Sequence, residues 1–338
     1  MSSTGTMRAS FLYGQGRLGV ETIEIPAVTP GSVLIRISAV GVCGSDIHYW
    51  EHGGIGDHLV LQPMILGHEA SGVVEGVGDG VSRDWIGKRV SIEPGVPDGT
   101  CEYCRTGRYN LCPNMVFFAT PPVNGAFVEY VVHPVAFIYE LPDGVSDDAG
   151  GLIEPLSVGI WSVRQAGVRP AESVLITGAG PVGLMAAQVA RAAGVTNIYV
   201  SDVSEYRRHA ALRFGATEVI DPLSDAIAGL GVHAYIDCSG APSAITSGIE
   251  ALRPGGAAVL VGIGGKNVTL PMGLVQDREL SVRGIYRYAN TWPTGIELAA
   301  RGLVDLDGMV TAHYDLDSVE SALTPDPTGH GIKAIVNP

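Results

Sequence analysis

The chain reads as an α/β protein in two parts, a β-rich first part and a second part built on a doubly wound parallel sheet. Three observations predict this. The stretch from Ser173 to Asp202 runs strand, glycine turn, helix, strand and acidic residue. Beyond it, segments of strand and helix pattern alternate as far as Tyr286, as βαβ units do. Before it, from Met7 to about Ile92, short apolar strands are separated by glycine and proline turns, an all-β pattern. At 338 residues, two cores are a more natural division than one.

The glycine turn carries the most chemistry. Val174 to Thr177 form an apolar run, and Gly178, Gly180 and Gly183 follow in the G-x-G-x-x-G spacing of a dinucleotide-binding turn, with Val182 inside it. The first glycine permits the tight turn, the second lets a pyrophosphate approach the backbone, and the third lets the helix from Pro181 pack on the sheet. The free N–H groups of that helix start favour phosphate charge. With 46 glycines in the chain, spacing alone would be weak, and a turn without nucleotide is the alternative. Context decides for the nucleotide. Asp202 closes the next apolar run, where a carboxylate accepts hydrogen bonds from the adenine-ribose 2′-hydroxyl and repels a 2′-phosphate. NAD is therefore expected over NADP, although Arg207, Arg208 and Arg213 stand nearby. Arg207 joins the cofactor-binding candidates.

Charge narrows the function classes. A formal net charge of -14 argues against nucleic acid or an anionic membrane surface as partner. The N-terminal MSSTGTMRASF lacks the pattern of a secretory signal, so a cytoplasmic location is the default expectation. The uncharged run Ser173 to Ala190 is too short and too interrupted for a membrane span. Five cysteines, with Cys101, Cys104 and Cys112 close together and Cys43 and Cys238 apart, suggest metal ligation in a reducing compartment. Lysine is scarce, at Lys88, Lys266 and Lys333 only.

Along the first part, strands are expected at Ser32 to Val42, Ser71 to Val77 and Arg89 to Ile92. Two loaded segments interrupt them, GVCGSDIHYW from Gly41 and GHEASG from Gly67. Cys43, His68 and Glu69 offer one sulfur, one nitrogen and one oxygen, donor types that hold zinc while leaving a position open. The alternative is a buried thiol and a hydrogen-bonded ring. The polar company of Ser45, Asp46, His48, Tyr49 and Glu69, read as loop residues, favours the metal.

Along the second part, helices are expected at Ser157 to Ala166, Ser204 to Phe214, Pro222 to Gly229 and Ala241 to Leu252. Strands are expected at Glu218 to Ile220, Ala234 to Cys238, Ala257 to Gly262 and Glu279 to Tyr286. Cys238 reads as a small buried residue of its strand. Val261, Gly262, Ile263, Ile285, Tyr286 and Arg287 end successive strands, where the ligand crevice of such a sheet lies. They are assigned to the nicotinamide half of the cofactor. A helix near Thr294 to Arg301 and a strand from Gly331 to Val336 close the chain.

Together, GVCGSDIHYW, LGHEASGVV and GAGPVG resemble the zinc-dependent medium-chain dehydrogenase/reductase superfamily. Tyr49 to Asp57, Gly107 to Leu111, FFATPP from Phe117, LIEPLSVG from Leu152 and RYANTWP from Arg287 resemble its sorbitol (polyol) dehydrogenase branch. The resemblance runs from about residue 8 to the end. It implies a GroES-like catalytic domain over 1–155, completed by 289–338, and a Rossmann domain over 156–288.

It also implies roles. Cys101, Cys104 and Cys112 match three ligands of a structural zinc lobe whose first position here is Asp98; a second, structural zinc and an emptied lobe are the two readings. Glu154 matches a glutamate facing the catalytic zinc, either as a ligand or through a water; at a helix start it could instead serve as a favourable N-terminal charge. Arg287 and Tyr288 match the substrate-contacting pair, with Tyr49 opposite, against a bland reading of ion pair and packed rings. The implied activity is hydride transfer from a secondary alcohol of a polyol to NAD, with catalytic zinc. Glu154, Ser45 and His48 are the candidates for moving the proton, and Asp46 orients a ligand imidazole. An aldose, a 2,3-diol or threonine is the alternative substrate, and a catalytically silent nucleotide-binding protein the alternative of another class. Relatives suggest a homo-oligomer, tetramer or dimer.

Overall fold

The computed structural model describes residues 5–265 and 267–338, which fall into two compact units. The first comprises Met1–Glu154, Trp292–Ile296 and Leu306–Pro338, and the second Pro155–Thr291 and Glu297–Asp305.

The first unit is organised around the strand Ser32–Gly41. It is buried along nearly its whole length, Val33, Ile35, Ile37 and Val40 included, and it pairs antiparallel along its length with Glu69–Val77. On the other edge its first half pairs with Tyr130–Pro134 and its end with the C-terminal strand Lys333–Val336. Gly41 therefore lies across from Glu69 on one side and Ile335 on the other. This register brings residues from both ends of the chain to the end of one strand. The core beneath holds Leu12, Ile35, Leu66, Ile92 and Phe127, with Trp292 donating its indole N–H to Ser91 Oγ at 2.9 Å.

The second unit is a six-stranded parallel sheet. Its order is Glu218–Ile220, Asn197–Ser201, Ser173–Thr177, Val232–Asp237, Leu252–Leu260 and Ser281–Gly284. The direction of winding reverses between Ser173–Thr177 and Val232–Asp237, the switch point at which such sheets bind ligands. The glycine turn leaves the first of these strands and residues 238–240 leave the second.

Several local expectations need correction. The segment after Cys43 is not a loop but the helix Gly44–His52. Asp46 Oδ2 accepts the Cys43 N–H at 3.0 Å, closing the first turn, and Gly53 ends the helix with φ 72°. Glu69 is not in a loop either; it opens its strand. Residues 222–229 form turns and not a helix, because Asp221 Oδ1 takes the Leu223 N–H and Asp225 Oδ2 the Asp221 N–H. Cys238 stands one residue past the strand Val232–Asp237 and is half-buried. Ile285 and Tyr286 likewise lie beyond their strand, Ser281–Gly284.

Candidate active site and metal centre

Cys43, His68 and Glu69 each offer one ligand atom, and these atoms all lie within 4.8 Å of one another. The backbone explains the convergence. Cys43 follows the strand containing Gly41, and Glu69 opens the neighbouring strand opposite Gly41. A Cβ at Gly41 would fall on Glu69 Oε2, so only glycine leaves room for that carboxylate. Glu69 and His68 are buried, and Cys43 is half-exposed at the head of its helix.

Asp46, fully buried, ties the two ligand segments together. Its Oδ2 accepts the Cys43 N–H, its Oδ1 the Gly67 N–H at 3.0 Å, and Oδ1 lies 3.7 Å from His68 Nδ1. That turns Nδ1 toward the carboxylate and leaves Nε2 for a metal. Burial works against the charged ring of His68, but Asp46 and the Cys43 sulfur outweigh it and hold its pKa well above the ordinary value. Burial also opposes the Asp46 carboxylate, yet the His68 ring and the two backbone N–H groups keep its pKa below the ordinary range.

A carboxylate whose folded pKa is lowered stabilises the fold above its unfolded value, about 4 for aspartate, and loses that contribution as pH falls through the lowered value. Asp46→Asn is therefore expected to cost stability at neutral pH, with the gap from the parent protein closing in acid. It should also weaken zinc binding by about tenfold to a hundredfold. Thermal unfolding across pH and chelator competition measure the two effects.

Sequence reasoning missed the partner of Glu69. Lys333 Nζ donates to Glu69 Oε1 at 2.7 Å and to the Val42 carbonyl at 2.7 Å, and lies 2.5 Å from Glu69 Oε2. The available signal was a single lysine within the apolar closing run GIKAIV. Glu69 Oε2 nonetheless receives no aligned hydrogen bond. A buried carboxylate oxygen of this kind, beside a sulfur and an imidazole nitrogen, fits zinc as its third donor.

Glu154 is buried in the first turn of the helix Ile153–Ala166, and its charge acts on Lys333. It is not one of the side chains that share the 4.8 Å cluster. Ser45 and His48 lie half-buried on the Gly44–His52 helix, and Tyr49 is buried there.

A second cluster gathers Asp98, Cys101, Cys104 and Cys112 within the same mutual distance of 4.8 Å. Cys101 and Cys104 Sγ are 3.4 Å apart, Asp98 donates its N–H to Cys112 Sγ at 3.4 Å, and Asp98 Oδ1 accepts the N–H groups of Thr100 and Cys101. Burial and the hydrogen bond with Cys101 push the Cys104 thiol up to about 12, whereas the Cys104 N–H lowers the Cys101 thiol, so Cys104 keeps its proton until a cation displaces it. If this lobe holds zinc, elemental analysis should find two zinc ions per chain, falling to one in Cys101→Ser. One tightly held zinc, unchanged by that substitution, would rule the second site out.

In the second unit, Gly178 takes φ 90° and donates its N–H to the Ser201 carbonyl at 2.8 Å. A Cβ at Gly183 would overlap the Gly178 carbonyl oxygen, whereas one at Gly180 would meet only Arg207 Nη1, at 3.3 Å. Helix Pro181–Ala192 starts with proline and no side-chain cap, leaving N–H groups directed outward. Asp202 Oδ2 accepts the Ala179 N–H and Oδ1 the Ser204 N–H, each at 2.8 Å, which fixes the acid against the turn. Asp237 was not foreseen. Fully buried, it accepts from Thr177 and Ser239 and shapes the 238–240 loop at the switch point.

Val261, Gly262 and Ile263 follow the strand Leu252–Leu260, with Ile263 exposed. Arg287 adopts φ 55°, an uncommon backbone state for a non-glycine residue, and its guanidinium stacks 4.7 Å over the Tyr286 ring. Tyr288 is buried.

Comparison with known proteins gives this geometry a family. Residues 29–143 match the alcohol dehydrogenase GroES-like domain and residues 181–301 the zinc-binding dehydrogenase domain. Sorbitol dehydrogenase of Gallus gallus is 41% identical over 99% of this chain and 98% of its own length. An Escherichia coli oxidoreductase/dehydrogenase of unknown specificity superposes with a TM-score of 0.94 at 34% identity, over 98% of this chain and 99% of that one. A 2R,3R-butanediol dehydrogenase of Bacillus subtilis does so with a TM-score of 0.89 at 30% identity, over 98% and 99%. The chain thus belongs to the zinc-dependent medium-chain dehydrogenase/reductase superfamily, in its sorbitol dehydrogenase-like branch.

Proposed function

We propose that this chain oxidises a secondary alcohol of a small polyol, of the sorbitol or xylitol type, with NAD as acceptor. The observation that carries the reading is the sulfur, nitrogen and oxygen donors of Cys43, His68 and Glu69 gathered in one half-open cluster. When bound there, zinc supplies Lewis acidity toward an alcohol oxygen, and NAD takes up hydride.

The chain's own residues do the rest. Cys43, His68 and Glu69 hold the metal, and Asp46 fixes the His68 ring by its Nδ1. Glu154 receives the proton of the substrate hydroxyl on a carboxylate oxygen, and Ser45 Oγ and the His48 ring carry it toward solvent. Arg287, Tyr288 and Tyr49 supply donors suited to a row of hydroxyls. Gly178, Gly180, Val182 and Gly183 cradle the pyrophosphate, and Asp202 with Arg207 binds the adenine ribose. Val261, Gly262, Ile263, Ile285 and Tyr286 receive the nicotinamide half.

The Asp98 lobe takes a structural zinc in this reading. Residues 1–155 with 289–338 serve as the catalytic domain and 156–288 as the cofactor domain, apart from Pro155, 289–291 and Glu297–Asp305, which cluster with the second unit. The protein works in the cytoplasm as a tetramer or dimer, which light scattering on the purified enzyme checks. No helix among the described residues is long and apolar enough to cross a membrane.

The test is the near-ultraviolet absorbance of NADH. It should rise on adding NAD with sorbitol or xylitol and rise far less with NADP. Turnover of 2,3-butanediol, an aldose or threonine in place of every polyol would move the substrate assignment. No turnover with any of them, from zinc-loaded protein, would favour a silent nucleotide-binding protein.

A further inference from the structure

Lys333 and Glu69 form a buried ion pair, with side chains 2% and 0% exposed, between residues 264 positions apart. Isolated, either charge would be costly to bury. The ammonium sits on both oxygens of a carboxylate that also belongs to the metal cluster, donating to Oε1 at 2.7 Å and standing 2.5 Å from Oε2. It also donates to the Val42 carbonyl, next to Cys43. A metal and an ammonium on one carboxylate draw on the same negative charge. Whatever Lys333 takes is not available to the zinc.

We propose that Lys333 is a positioning residue for the catalytic metal, sharing the Glu69 carboxylate with zinc and so keeping that ligand weak and exchangeable. This rests on the reading of Cys43, His68 and Glu69 as the zinc site. The consequence is a metal that retains its Lewis acidity and can loosen one ligand when a substrate hydroxyl arrives. The competing account makes Lys333 a staple that holds the Cys43 segment through Val42. The two accounts predict opposite effects of removing the ammonium.

The experiment follows zinc release from the holoenzyme into excess chelator, taking the zinc that His68→Ala fails to bind as the catalytic one. Lys333→Met should slow its release by about tenfold or more, within the range by which groups around metal ligands change affinity. Lys333→Arg, which keeps the cation, should restore release to near the parent rate. Because Lys333 acts through Glu69, adding Lys333→Met to Glu69→Gln should leave the release rate of Glu69→Gln unchanged within about twofold.

Faster or unaltered release in folded Lys333→Met overturns the proposal, as does an equal effect with and without the Glu69 carboxylate. Should Lys333→Met alone not fold, the comparison of Glu69→Gln with the double variant decides. The double variant leaves neither charge buried alone, and equal rates support the proposal while a clear difference overturns it. Parent enzyme without zinc at Cys43 and His68 would remove the site reading itself; zinc present but indifferent to Lys333 removes only this inference.

Discussion

Glu154→Gln should keep its zinc and lose turnover by about a hundredfold to ten-thousandfold, the usual cost of removing a positioned acid or base. The amide has the shape of the carboxylate but does not take up a proton. Retention of zinc follows from the geometry, since the three clustered donors come from Cys43, His68 and Glu69 without Glu154. The side chain is buried in the first turn of the helix Ile153–Ala166, so the substitution disturbs little surface and much of the local charge. Elemental analysis and the NADH assay read the two halves of the prediction. Unchanged turnover would refute a catalytic role; loss of zinc would make Glu154 a ligand instead.

Gly183→Ala should cripple cofactor binding. The added methyl would overlap the Gly178 carbonyl oxygen and reach Cys238 Cβ at 3.5 Å. The oxygen belongs to the backbone of the turn itself, so relief requires moving the turn off its helix. Overpacking of this severity costs about 3 kcal/mol, which is about a hundredfold in NADH affinity if it falls on the bound geometry. Gly180→Ala offers a contrast, because its methyl meets only the end of the Arg207 side chain. Its stability should match the parent while NADH binding still falls, since the methyl occupies the line of approach of the pyrophosphate. Fluorescence titration with NADH and thermal unfolding separate the two variants. Normal affinity in Gly183→Ala would show that the close approach is not needed.

What could be read from the sequence was what short stretches encode. The glycine turn, its helix and the acid after the next strand are set by contacts within thirty or so residues, as expected for a βαβ unit. The segments carrying Cys43 and His68 with Glu69 were legible for the same reason, each being a compact polar run between apolar strands. Legibility failed where geometry depends on distant pairing. Nothing near Glu69 in the chain announces Lys333, because they meet only when the last strand pairs beside Gly41. Asp46 was expected beside a ligand imidazole and does lie 3.7 Å from His68 Nδ1, but its segment was read as loop because Gly44 and the polar run mask a helix that Asp46 itself caps. Residues 222–229 failed in the opposite direction: helix periodicity was present, and the side chains of Asp221 and Asp225 captured the backbone first.

The most direct measurement is crystallographic, with anomalous data collected on either side of the zinc absorption edge from the enzyme grown with zinc. The account predicts a peak about 2.3 Å from Cys43 Sγ and about 2.0 Å from a ring nitrogen of His68, with Glu69 adjoining it. Zinc found only among Asp98, Cys101, Cys104 and Cys112, with Cys43 and His68 bare in zinc-replete and active enzyme, would contradict it.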